Sequence, residues 1–113
     1  MLTGIHIRKA PGTWVIRAGG AVLGESREAL ELTEGDMPPV IFFPRADVAM
    51  AFLDPSPTRT RVLGLGEAQH FSIHTSDGPI PDAAWSYEHP EPAAERIAGY
   101  LTFARGKTAI EPL

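Results

Sequence analysis

His70 and His74 stand four residues apart, and two imidazoles so spaced on one helix face can chelate a metal ion. The residues between them, Phe71-Ser72-Ile73, alternate apolar and polar and so predict a strand. There Phe71 and Ile73 turn to the core, while His70, Ser72 and His74 share the other face. At a rise of ~3.3 Å per residue the two imidazoles then hang ~13 Å apart, too far to share one metal. No metal site and no cofactor is expected. Gly64-Leu65-Gly66-Glu67 opens like a phosphate-binding glycine loop, but the third glycine is missing. No helix pattern follows to present its N-terminus to a phosphate. The stretch predicts a glycine bend between strands.

Nucleophiles are equally scarce. The chain has no cysteine, which removes a disulfide framework, a thiolate metal site and a Cys nucleophile together. No serine sits in a glycine-flanked nucleophile elbow. Carboxylates occur in pairs, at Glu25 and Glu28 and at Glu31 and Glu34, with Asp36 close behind. With Arg27 among them they read as an exposed strand edge of mixed charge, because acid–base work needs a partner that spacing does not supply. Trp85-Ser86-Tyr87 is the more telling trio. On a strand Trp85 and Tyr87 project to one face, where large rings with polar tips build either a core corner or a pocket wall.

The elements that must position these groups are short. Eleven glycines and eleven prolines in 113 residues predict many strands joined by turns. Strands are expected over Trp14–Arg17 and Ala21–Glu25 around a Gly19-Gly20 turn, and over Leu30–Thr33. Val40-Ile41-Phe42-Phe43 is apolar on both faces and bounded by Pro39 and Pro44, which suits a central strand. Arg45–Leu53 is expected as a short helix stopped by Pro55, followed by a loop over Asp54–Thr58. Thr60–Leu65 and Ala68–Thr75 predict two strands, Ser76-Asp77-Gly78-Pro79 a turn, and Trp85–Tyr87 a short strand. Pro92–Ala98 has helical spacing, which Gly99 closes or Phe103 ends. The fold class is therefore mostly β: one domain over residues 1–113, with one or two short helices.

Ten Lys and Arg against fourteen Asp and Glu give a formal charge of −4. Without a basic run the chain is poorly equipped to hold a phosphate backbone, so no nucleic-acid partner is expected. Its apolar runs are too short to span a bilayer, and the N-terminus lacks a secretory pattern. A cytoplasmic protein with no membrane partner is the expectation.

Several segments occur together in one order. They are Arg27 with Ala29-Leu30, Phe43-Pro44-Arg45-Ala46-Asp47-Val48, Ala84-Trp85-Ser86-Tyr87 with Pro90, and Ile97-Ala98-Gly99-Tyr100 with Phe103. From about His6 to Ile110 the chain so resembles the family filed as domain of unknown function 427, which also carries a nucleotidyltransferase label. The resemblance implies a β-tent of coiled antiparallel strands, similar to that of zinc-carrying sulfoxide reductases. Zinc there sits on Cys pairs, which this chain lacks. The family pattern also implies a Cys-Pro-aromatic-Lys-Gly run after the middle loop. Aligned on Thr60 and Gly66, the positions here hold Val62, Leu63, Gly64 and Leu65, so thiol and amine are both replaced by apolar groups.

A non-catalytic binding module is expected on this reading, its open face holding a small molecule or a protein. Arg27, Glu34, Arg45, Asp47, Trp85 and Tyr87 are the candidate contacts, being the charged or aromatic residues within or beside the matching segments. The competing role for Arg27, Arg45 and Asp47 is to brace loops through ion pairs. An alternative is nucleotidyl transfer, which needs carboxylates on Mg²⁺ and a triphosphate cradle. A third is a self-associating homo-oligomer, because free β-edges pair readily.

Overall fold

Gly19 and Gly20 turn the chain sharply, with φ of +56° and +81°, the two positive values that a tight hairpin between right-twisted strands requires. They join β2 (Trp14–Ala18) to β3 (Ala21–Ser26). The computed structural model describes residues 4–113. The remaining strands are β1 (Ile5–Lys9), β4 (Leu30–Glu34), β5 (Val40–Phe42), β6 (Leu53–Val62), β7 (Gly66–Thr75), β8 (Gly78–Ser86), β9 (Leu101–Phe103) and β10 (Ala109–Pro112). They form three sheets in the orders β1-β4-β5, β10-β2-β3 and β6-β7-β8-β9, every pairing antiparallel. The mostly-β fold is as the sequence predicts.

β5 explains its own composition. Ile41 joins a core with Ile16, Leu23, Phe71, Ile73 and Leu101, and Phe43 just beyond the strand does the same. Phe42, pointing the other way, joins a second core with Leu30, Leu32, Tyr87 and Ile97. A strand buried on both faces has no position for a polar side chain.

Both expected helices are present only as 3-10 turns. The chain over 45–53 makes two separate 3-10 turns, Arg45–Asp47 and Met50–Phe52, before Leu53 enters β6. Between them Val48 is extended, because it forms an isolated bridge to Gly24 while Ala49 N donates to Leu23 O at 2.7 Å. The second stretch is a 3-10 segment, Pro92–Ile97, with Ala94 outside helical geometry. Ala94 and Ile97 are its buried pair, a spacing of three that matches the 3-10 period, and Gly99 then turns left-handed at φ +77°. Asp54–Thr58 is not a loop. It lies in β6, an edge strand whose Pro55 and Pro57 need no ladder donor, with the register shifting between Pro55 and Arg59. Gly78 and Pro79, expected in the turn, begin β8. Tyr87 lies one residue past the end of β8.

Candidate ligand cleft

Arg45 spans three segments. Its Nε donates to Gly99 O at 3.1 Å, and its Nη2 reaches Glu88 Oε2 at 2.5 Å and Ser86 Oγ at 3.4 Å. Asp47 Oδ2 accepts from Ser26 Oγ at 2.7 Å, and that same hydroxyl oxygen accepts from Glu28 N at 2.9 Å. Both side chains are thus engaged in bracing. Tyr87 is buried, its ring centre 6.2 Å from that of Phe42, and burial pushes its phenol above the ordinary value. Trp85 is half-buried with its ring 5.7 Å from that of His70. Arg27, in the bend between β3 and β4, and Glu34, at the end of β4, are exposed. The six residues do not meet in one concavity. Tyr87 and Trp85 share the second core, and Arg45 reaches Ser86 beside them, but Arg27 and Glu34 stand apart.

The two histidines have separate surroundings. His70 Nε2 lies 3.0 Å from Thr60 Oγ1, and its Nδ1 is buried without a partner. His74 Nε2 pairs with Asp54 beside a cavity of about 260 Å³ that Leu23 and Phe52 also line. Among the described residues no three His, Asp or Glu side chains come together as a metal-ligand group. Gly64-Leu65-Gly66 forms the bend of the β6–β7 hairpin, with strand rather than helix after it.

A concavity does exist, where β5 and β9 part. Phe43 N donates to Leu101 O at 2.8 Å, and Leu101 N returns the bond to Phe43 O at 2.9 Å. Continued in that antiparallel register, Ile41 would face Phe103 and Pro39 would face Arg105. No backbone bond joins those pairs among the described residues. Pro39 has no N–H to give. On the other side the chain turns after Ala104, whose oxygen accepts from Lys107 N and Thr108 N, and leaves to pair β10 with β2. Two side chains span the opening instead: Thr102 Oγ1 donates to Ile41 O at 2.9 Å, and Arg105 Nη2 donates to Pro39 O.

The parting leaves a cleft of about 520 Å³ walled by Trp14, Ile41, Pro39, Ala109 and Ile110, with Glu31, Arg105, Thr108 and Glu111 as polar groups. A second hollow of about 180 Å³ shares Ile41, Arg105 and Ile110, and adds Trp85, Val40, Thr102 and Phe103. Apolar walls with a few convergent polar groups are what small-molecule sites require. None of the six expected contacts lines the larger cleft, and Trp85 alone among them lines the smaller hollow beside it.

Over residues 6–111 the sequence matches the family described as domain of unknown function (DUF427). The chain belongs to that family. No curated protein matches it. In this DUF427 domain Val62–Leu65 lies at the tip of the β6–β7 hairpin, where Leu63 is 94 % exposed and Leu65 is buried. Among the described residues no helix is long and apolar enough to cross a membrane.

The cleft residues other than Trp85 carry no motif. Trp14 and Ile41 lie in strands the sequence predicts, but Arg105 and Ile110 follow β9 and belong to β10, two elements with no local signature. One sign was legible: Pro39 has no N–H with which to continue a ladder beyond β5 on the side away from β4.

Proposed function

We propose that this DUF427 domain is a small binding module and that its ligand, an organic molecule with an apolar body, occupies the cleft between β5, β9 and β10. The observation that carries this reading is the parting of the strands after Phe43 and Leu101, bridged among the described residues by the side chains of Thr102 and Arg105. A packed domain ordinarily closes such a seam, since voids forfeit contacts. Here the opening exposes Trp14, Trp85 and Ile110 in part, an arrangement that gains most when a ligand covers it. Glu31, Glu111 and Thr108 in the cleft already have protein partners, which suits recognition. Nucleotidyl transfer, suggested by the family's label, gains no support from this geometry. A cytoplasmic setting belongs to the same proposal, supported by composition alone.

A fragment screen read by amide and indole N–H resonances tests the reading. Ligands of this site should shift the indole signals of both Trp14 and Trp85, and Ile110→Trp, which fills the cleft, should abolish those shifts without unfolding the protein. Hits that instead move Arg45, Glu88 and Gly99 would transfer the site to the opposite end of β5.

A further inference from the structure

Charge bookkeeping along the cleft gives the class of ligand, on the reading that the cleft is the site. Glu31 faces the cleft with a side chain only 13 % exposed, and its Oε1 lies 2.7 Å from Arg8 Nε. Glu111 lies 3.5 Å from Arg17 Nε. Each carboxylate of the cleft therefore has its own cation outside it. Arg105 has none. Among the described residues its one partner is the neutral carbonyl of Pro39, which takes one of the two Nη2 hydrogens and leaves the other, with Nε and Nη1, free of protein acceptors, so that one face of the fork stays open. The uncompensated charge of the cleft is thus one positive guanidinium, fixed by its bond across the parted strands and set beside the apolar surfaces of Ile41 and Ile110.

We infer that the cleft selects a small planar or apolar carboxylate, its body against Trp14, Ile41 and Ile110 and its anionic head on Arg105. A carboxylate accepts two parallel N–H bonds from a guanidinium fork, and such charge-assisted bonds are the stronger ones. The bond to Pro39 restricts the fork before any ligand arrives, so less side-chain freedom is lost on binding. Glu31 and Glu111 disfavour a dianionic head. A ligand carrying one negative charge satisfies Arg105 without adding repulsion.

A matched pair of probes tests this: 2-naphthoate and its neutral isostere 2-naphthamide, titrated into the full chain and followed by the indole N–H signals of Trp14 and Trp85. Naphthoate should bind at least about tenfold more tightly than the amide, and Arg105→Gln should remove about that factor for naphthoate while leaving the amide unchanged. Arg105→Lys should recover only part of the loss, because the ammonium lacks the fork. Equal affinity for the two probes, or naphthoate binding indifferent to Arg105→Gln, overturns the carboxylate assignment and leaves the cleft itself in place. Failure of both probes to perturb either tryptophan at millimolar concentration overturns the cleft reading and the assignment with it.

Discussion

Gly24 lies so close to Asp47 that a Cβ on the glycine would come within 2.5 Å of the aspartate's backbone oxygen. The contact is backbone against backbone at the bridge between Gly24 and Val48, so no side chain can swing aside to relieve it. Gly24→Ala should destabilise the fold by about 2–3 kcal/mol in urea denaturation, the cost of forced overpacking. Gly106, whose Cβ would meet nothing within 4 Å, is the control. Gly106→Ala should leave stability equal or raise it by about 0.4–1 kcal/mol through the unfolded chain.

Arg45 joins the segment after β5 to Gly99 and to the end of β8, and its guanidinium carbon lies 5.7 Å from the centre of the Phe71 ring. Arg45→Ala should cost about 1–2 kcal/mol, the exposure of the Glu88 pair holding the figure down. Arg45→Lys should recover little of it, since an ammonium cannot reach Gly99 and Ser86 at once. Ligand titrations of the cleft should be unchanged in both variants. A loss of binding with intact stability would make Arg45 a contact after all.

Asp82 contributes to the acid branch of the stability profile. The hydroxyls of Ser56 and Thr58, the latter at 2.9 Å, hold its carboxyl below the ordinary value of 3.8. A group depressed in the folded state stabilises above its unfolded pKa and loses that contribution as pH falls through the folded one. Stability from Asp82 should therefore be complete above about pH 5 and should fade below pH 4. Asp82→Asn keeps a residue tolerant of the left-handed φ of +52° and should flatten this acid branch. Carboxyl-carbon resonances followed against pH would check it. A titration of Asp82 at or above the ordinary value would contradict the assignment.

Leu63, at the hairpin tip, is 94 % exposed. Leu63→Lys should change the unfolding free energy by no more than about 0.5 kcal/mol. If the tip mediates self-association, the same change should move the protein toward monomer in sedimentation, and an unmoved profile would remove the tip from consideration.

Burial pattern was legible in the sequence where it was set locally. Val40–Phe42 reads as a central strand because its residues serve two cores, and Gly19-Gly20 reads as a hairpin because few other pairs accept two positive φ angles. What escaped was set by distant partners. Leu101–Phe103 is a strand of three residues held by β8 on one side and by Phe43 on the other. Val48 interrupts an otherwise helical run because Gly24, far away in sequence, offers it a bridge. Pro55 and Pro57 mark a loop by composition, yet an edge strand tolerates both. The candidate site followed the same division. Arg45 and Asp47 stood out by chemical type and are engaged with Gly99, Ser86, Glu88 and Ser26, whereas Arg105 acquires its place only when β9 turns away from β5.

The short strand β5 has a consequence for how the molecule opens. Its side chains are shared between two apolar clusters, so neither cluster can lose its packing while the strand stays in the other without uncovering a phenylalanine or Ile41. β5 thus couples the two clusters, as do β7, with Ala68 in one and Phe71 and Ile73 in the other, and β8 with its Tyr87 extension. Amide protons along 41–43, with that of Phe43 bonded to Leu101 O, should then be among the slowest to exchange, and those of exposed Leu63 and of Gly64 at the hairpin tip among the fastest.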